Sequence, residues 1–227
     1  MTFIEDLRKM LEGAELYSDL LYPFSGSMNV GIVLTDTGES ATVSVGEVSR
    51  VLEGLVTPAV RITMTRETFE RVRDGEADAF ALGGRSKMSE SRPINFESID
   101  PERAAEVMEA VKGMATFFFN PGKVKTKELS LEGAGEAHGA RPIPLVYWKG
   151  LRTAWYHVPA GSVLNEAGEK DPWPQAFVVL RGSGRVQIAD EDLELKTSCV
   201  YYIPRDCTHK IHADSPVELI WIAWDAE

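Results

Sequence analysis

The sequence predicts an α+β domain followed by an all-β domain, and three observations carry that expectation. Apolar residues at helical three- and four-residue steps occur only in the first half of the chain. Residues 122–142 shift to a Gly-, Ala- and Glu-rich composition (LEGAGEAHGARP within it), the mark of a domain boundary. Beyond that point only short β-rich runs remain, separated by turn residues, and all five tryptophans lie among them.

The first 21 residues place Phe3, Ile4, Leu7, Met10, Leu11 and Ala14 on one helical stripe. The period then changes to two. Residues 30–35 and 41–45 flank Asp36-Thr37-Gly38 and read as a hairpin, with further strands over 48–55 and 59–65. Thr65 suits the N-cap of a helix that turns Phe69 and Val72 inward and stops at Gly75. A short helix follows over 76–84, then a strand over 93–98. Asp100-Pro101 opens a helix with Ala105, Val107, Met108, Val111 and Met114 as its apolar set, and Asn120-Pro121-Gly122 ends it. In the second half, strands are expected at 144–148, 151–158, 175–182, 184–189, 193–197, 199–204, 209–213 and 217–224. Turn signals at Pro159-Ala160-Gly161, Arg181 to Gly184 and Ala213 to Pro216 space them as in a sandwich or small barrel. The expected domains are 1–122, a linker over 123–142 whose residues 126–131 lend a strand to close the barrel, and 143–227.

Charge and composition narrow the function. Acidic residues outnumber basic ones 35 to 24, a net charge of −11, and no basic patch offsets it, so nucleic acid is excluded as a partner. No apolar run is long enough for a membrane span, and the acidic start does not read as a signal peptide, so the chain is expected in the cytoplasm with Cys199 and Cys207 reduced. Glu166, Glu169 and Asp171 near the expected barrel mouth favour a neutral or cationic ligand.

Gly161, the run Phe177 to Gly182, and Leu195 to Pro204 followed by His209 resemble the cupin family, a double-stranded β-helix barrel. The second family motif keeps its spacing here, with Ser198, Pro204, Asp206, His209 and Ala213 at its five positions, of which Pro204 and His209 match. In the first motif Gln175 stands where a glutamate belongs, and Ala167 and Glu169 stand at the two histidine positions. The resemblance therefore implies a degenerate metal site. Two readings stay open: a small organic or lipid-like ligand without metal, or a divalent transition metal (Fe, Mn, Ni or Zn) held by His209 with Glu169, Asp171 and His157, as in an oxygenase or isomerase. Candidate ligand contacts are Trp155, His157, Trp173, Gln175, Tyr202 and His209, with Trp155 and His157 expected to share the interior face of their strand. Cys207, two residues before His209, is a further nucleophile candidate.

The hairpin, the strand AVRITMT and the helices through Gly83-Gly84 resemble the sterol carrier protein type 2 family over about residues 15–119, with RSKMSESRPINFES longer and more polar than its counterpart there. That resemblance implies an apolar groove lined by Val30, Ile32, Ile62, Met64, Phe80, Met108 and Met114. The alternative for either domain is a structural module that builds a homodimer.

Overall fold

The computed structural model describes residues 2–84 and 91–225. The chain divides into two compact units, Met1–Glu128 and Leu129–Glu227, each with its own hydrophobic core.

In the first unit, Thr2 and Glu5 form a reciprocal capping box that starts helix α1 (Phe3–Gly13), and Phe3, Leu7 and Met10 are its buried stripe. Asp6 is buried beside them and is held by Arg73 at 3.1 Å. The single helix expected over the first 21 residues breaks at Ala14 into a 3₁₀ turn (Glu15–Tyr17) and helix α2 (Ser18–Leu21), and Leu21 and Tyr22 thereby enter the core. Strands β1 (Ser27–Leu34) and β2 (Ser40–Gly46) form the expected hairpin, and β3 (Arg50–Glu53) pairs with β2. Strand β4 (Val60–Met64) runs parallel to β1, so the sheet order becomes β3-β2-β1-β4-β5 once β5 (Asn95–Ser98) joins its edge. Helix α3 (Arg66–Arg73) is capped by the Thr65 hydroxyl, and α4 (Ala79–Gly83) by the Asp78 carboxylate. Helix α5 (Ala104–Gly113) continues into one π-helical stretch, Met114–Phe118. Its buried face is Val107, Ala110, Val111 and Met114; Met108, expected inside, is 54% exposed.

Of the seven residues expected to line an apolar groove, Val30, Ile32, Ile62, Met64 and Met114 are packed core, Phe80 is half-buried and Met108 is exposed. Residues 85–90, which open the stretch expected to depart from the sterol carrier pattern, lie outside the described residues.

Among the described residues the second unit contains nine strands: β6 (Arg141–Trp148), β7 (Leu151–Val158), β8 (Val163–Leu164), β9 (Gln175–Arg181), β10 (Gly184–Ile188), β11 (Glu191–Leu195), β12 (Val200–Ile203), β13 (His209–Ala213) and β14 (Val217–Trp224). Their ladders form a five-stranded sheet, β12-β9-β14-β7-β6, and a four-stranded sheet, β11-β10-β13-β8. The closed barrel expected from the sequence is thus two sheets without a closing ladder. Residues 126–131 contribute no strand, and Lys127 is instead tied to Asp78 of the first unit at 2.7 Å. The short β8, which the sequence reading missed, supplies the fourth strand of the smaller sheet.

Register decides which side chains share a face of the larger sheet. Tyr156 lies beside Leu219 and Val179; Ala154 beside Trp221 and Phe177; Arg152 beside Ala223 and Gln175. Leu219, Val179 and Phe177 belong to the core between the sheets, so all three rows face inward. The alternate residues Trp155 and Ile220 face outward, where Ile143, Leu145 and Ala134 cover them in a separate small cluster.

Candidate functional site

The inward face of β7, β9 and β14, closed by the loop 165–174 and by His209 of the facing sheet, gathers the chemically distinctive side chains of the second unit. Ala154 and Ala223 are buried, the shortest side chains of these rows. The Trp221 ring lies 6.3 Å from both Tyr147 and Tyr156. Burial pushes the Tyr147 phenol up to about 12 and raises that of Tyr156 further, so both are neutral donors at physiological pH.

Gln175 is 3% exposed, and its orientation follows from donor counting. The Trp221 indole N–H can only donate, and it donates to Gln175 Oε1 at 2.6 Å. The Gln175 amide nitrogen must then point the other way, and Nε2 is a buried donor with no partner. A buried unsatisfied donor of this kind costs about 1–3 kcal/mol, so it calls for an acceptor in the same interior.

His209 is buried against Phe177, with ring centroids 5.5 Å apart. Asn165 ties the loop to its strand: Nδ2 donates to the Glu169 carbonyl at 2.9 Å and to the His209 carbonyl at 3.0 Å, while Oδ1 accepts from Glu169 N at 3.0 Å. The Cys207 carbonyl, 3.4 Å from Nδ1, can only accept, so the imidazole proton sits on Nδ1. Burial holds the His209 pKa below its ordinary value, opposed by the Cys207 carbonyl and the charge of Asp171, so the ring is neutral at pH 7. The Cys207 thiol turns to the Thr208 carbonyl rather than to the ring.

The remaining expected site residues are dispersed. Trp155 and His157 are on the outward face of β7; the expectation that they point inward fails because the 134–145 segment covers that face as effectively as the second sheet covers the other. His157 Nδ1 lies 3.7 Å from Glu218, which Arg181 also engages. Tyr202 is 70% exposed on the edge strand, and its neighbour Tyr201 is the one packed against the core. Trp173 stands in the loop before β9, where the Arg152 guanidinium lies over its ring at 4.2 Å. Glu169 pairs with His138 at 3.2 Å, and Asp171 accepts from the Trp173 amide at 2.9 Å.

This donor set does not fit the metal that the family resemblance implies. Gln175 Oε1 is taken by Trp221, one Glu169 oxygen by His138 and one Asp171 oxygen by a backbone amide, beside the single buried imidazole of His209. Among the described residues no group of three or more His, Cys, Asp or Glu side chains is placed to share an ion.

Gln175, His209 and Trp173 were named as candidates from the sequence, and Tyr147, Tyr156 and Trp221 belong to the aromatic set that suits an organic-ligand pocket; Arg152 and Asn165 were not named. One signal was available for the strand faces: Glu218 in VELIWIAW marks the side away from Val217, Leu219, Trp221 and Ala223. Asn165 carried no comparable signal, because its role depends on a left-handed backbone (φ 58°) and on a partner 44 residues away.

The first unit has an open cleft of about 1120 Å³ between α1, α2 and the end of the β2–β3 hairpin. Leu11, Leu21, Tyr22, Phe24, Val48 and Val51 are its apolar lining, and none of the seven expected groove residues borders it. No helix among the described residues is long and apolar enough to cross a membrane.

Comparison with known proteins places a cupin domain model on residues 154–223. No curated protein matches the chain. Among solved structures, a protein of Photorhabdus luminescens is similar at 17% identity over 44% of this chain and 88% of that one, with a TM-score of 0.39. A conserved cupin barrel domain protein from Salinispora arenicola is similar at 16% identity over 45% of this chain and 90% of that one (TM-score 0.40). A predicted oxalate decarboxylase from Thermotoga maritima is similar at 17% identity over 37% and 79% (TM-score 0.34). The C-terminal part of the chain is a cupin-type β-sheet domain, a fold that includes both metal-dependent enzymes and ligand-binding proteins.

Proposed function

We propose that the second unit binds a small organic molecule between its two sheets, over Ala154 and Ala223 and among Tyr147, Tyr156 and Trp221. The observation that carries this reading is the buried Gln175 Nε2, a donor fixed in direction by Trp221 and left without an acceptor. Aromatic walls with few placed polar groups are the usual make-up of such a site. Native mass spectrometry and organic extraction of the purified full chain test it: a co-purifying molecule is expected. Gln175→Glu keeps an acceptor for Trp221 and deletes the donor, so it should weaken retention of that molecule at least tenfold. A wild-type protein that carries nothing and gives no thermal shift with a metabolite library would overturn the reading.

A second reading concerns the first unit, whose cleft has the size and apolar lining for a lipid-like ligand. It is supported by exposed Phe24 and Val48 at that cleft. Loss of a co-purifying apolar compound in Val48→Asp, with Gln175→Glu unaffected, would assign the ligand there instead.

A further inference from the structure

We infer that the molecule taken up by the second unit is a carboxylate with a flat apolar body, and that Arg152 is the residue that selects it. The inference rests on the binding reading above and adds the ligand's charge. It departs from the expectation, drawn from Glu166, Glu169 and Asp171, that a ligand there is neutral or cationic.

Three features of Arg152 support it. The residue is on the inward face: β7 pairs with β14 without a register shift, and Arg152 occupies the same row as Ala223 and Gln175. It is half-buried, and among the described residues no carboxylate lies within salt-bridge distance of its guanidinium. It rests on the Trp173 ring, which satisfies the face of the guanidinium and leaves its edge donors available. A partly desolvated guanidinium without a counter-charge is costly, and proteins ordinarily supply a carboxylate for it.

Gln175 provides the second donor. Two strand spacings put the Cα atoms of Arg152 and Gln175 about 10 Å apart, with Ala223 between them as the shortest side chain of the row. Both side chains are long enough to reach over Ala223, and Gln175 is already turned so that Nε2 is its free end. A planar carboxylate can accept from the guanidinium edge with one oxygen and from the amide with the other, a charge-assisted arrangement stronger than two neutral hydrogen bonds. Asp171 is the opposing charge. Its field reaches Tyr147 and His209, and one of its oxygens is occupied by the Trp173 amide, so it caps the loop rather than pairing with Arg152. The rings of Tyr147, Tyr156 and Trp221 set the flat apolar body of the ligand.

Matched acids and amides test the charge separately from binding. Calorimetric titration of the full chain with trans-cinnamate and cinnamamide, and with indole-3-acetate and indole-3-acetamide, should show at least one acid binding ten times or more tighter than its amide. Arg152→Gln should abolish that preference, Arg152→Lys should restore part of it, and Arg181→Gln, whose partner Glu218 is on the other face, should leave it intact. Equal affinity for acid and amide, or a preference that survives Arg152→Gln, would overturn the carboxylate inference while the binding reading stands. Binding of neither member of either pair would count against both. Circular dichroism of each variant separates loss of preference from loss of fold.

Discussion

His209 keeps the position of the motif histidine within a buried, apolar surrounding. Its imidazole donates to the Cys207 carbonyl and packs on Phe177, which are the contacts of a neutral buried group. Burial depresses its pKa in the folded state, so the unfolded chain takes up the proton more readily. The contribution to stability is therefore constant above the ordinary value of 6.5 and falls as pH drops below it, by at most about 1.4 kcal/mol per pH unit. Chemical denaturation between pH 7 and pH 5.5 should show this slope in the wild type and a shallower one in His209→Gln; identical slopes would mean that the ring is protonated without penalty. Gln175 and His209 were both legible in the sequence, because motif spacing along two strands is local information. Arg152 was not, since a basic residue near the start of a strand has no signature until the neighbouring strand supplies Ala223 and Gln175 beside it.

Elements were legible where caps and turns are local, as with Thr65 and the Asp36-Thr37-Gly38 hairpin turn. They were less legible where packing overrides pattern. Of the apolar set expected on helix α5, Val107, Val111 and Met114 are buried, whereas Ala105 and Met108 are exposed and Ala110 is buried instead; the helix passes α2 at Gly113. A Cβ at Gly113 would lie 2.5 Å from the Leu20 carbonyl oxygen and 2.6 Å from that of Leu21. Helix propensity alone would make Gly113→Ala stabilising by about 1 kcal/mol. Because both obstacles are backbone atoms, the crossing should dominate and cost a net 1–3 kcal/mol or so, measured by urea denaturation. A stabilised variant would show that α2 can yield. The same limit applied to β7, where both faces are covered, so that LRTAWYHV alternates without revealing which set of residues meets the second sheet.

The two hydrophobic cores imply a specific boundary. Ala134 belongs to the cluster over Trp155, and β6 begins at Arg141, so a fragment cut at residue 143 loses both a cover and the first two residues of a strand. Expressed alone, residues 129–227 should unfold cooperatively with blue-shifted tryptophan emission, whereas 143–227 should show red-shifted emission and bind a hydrophobic dye. Equal behaviour of the two fragments would show that 129–142 is a passive linker, as the Gly-, Ala- and Glu-rich composition suggested. The number, order and approximate limits of most helices and strands follow from the chain alone, because spacing, capping and turn residues act within a few positions. Strand faces, the separation into two sheets, and the meeting of Arg152, Gln175, Trp221 and Tyr156 follow from packing, because each depends on partners tens of residues away whose register no local pattern specifies.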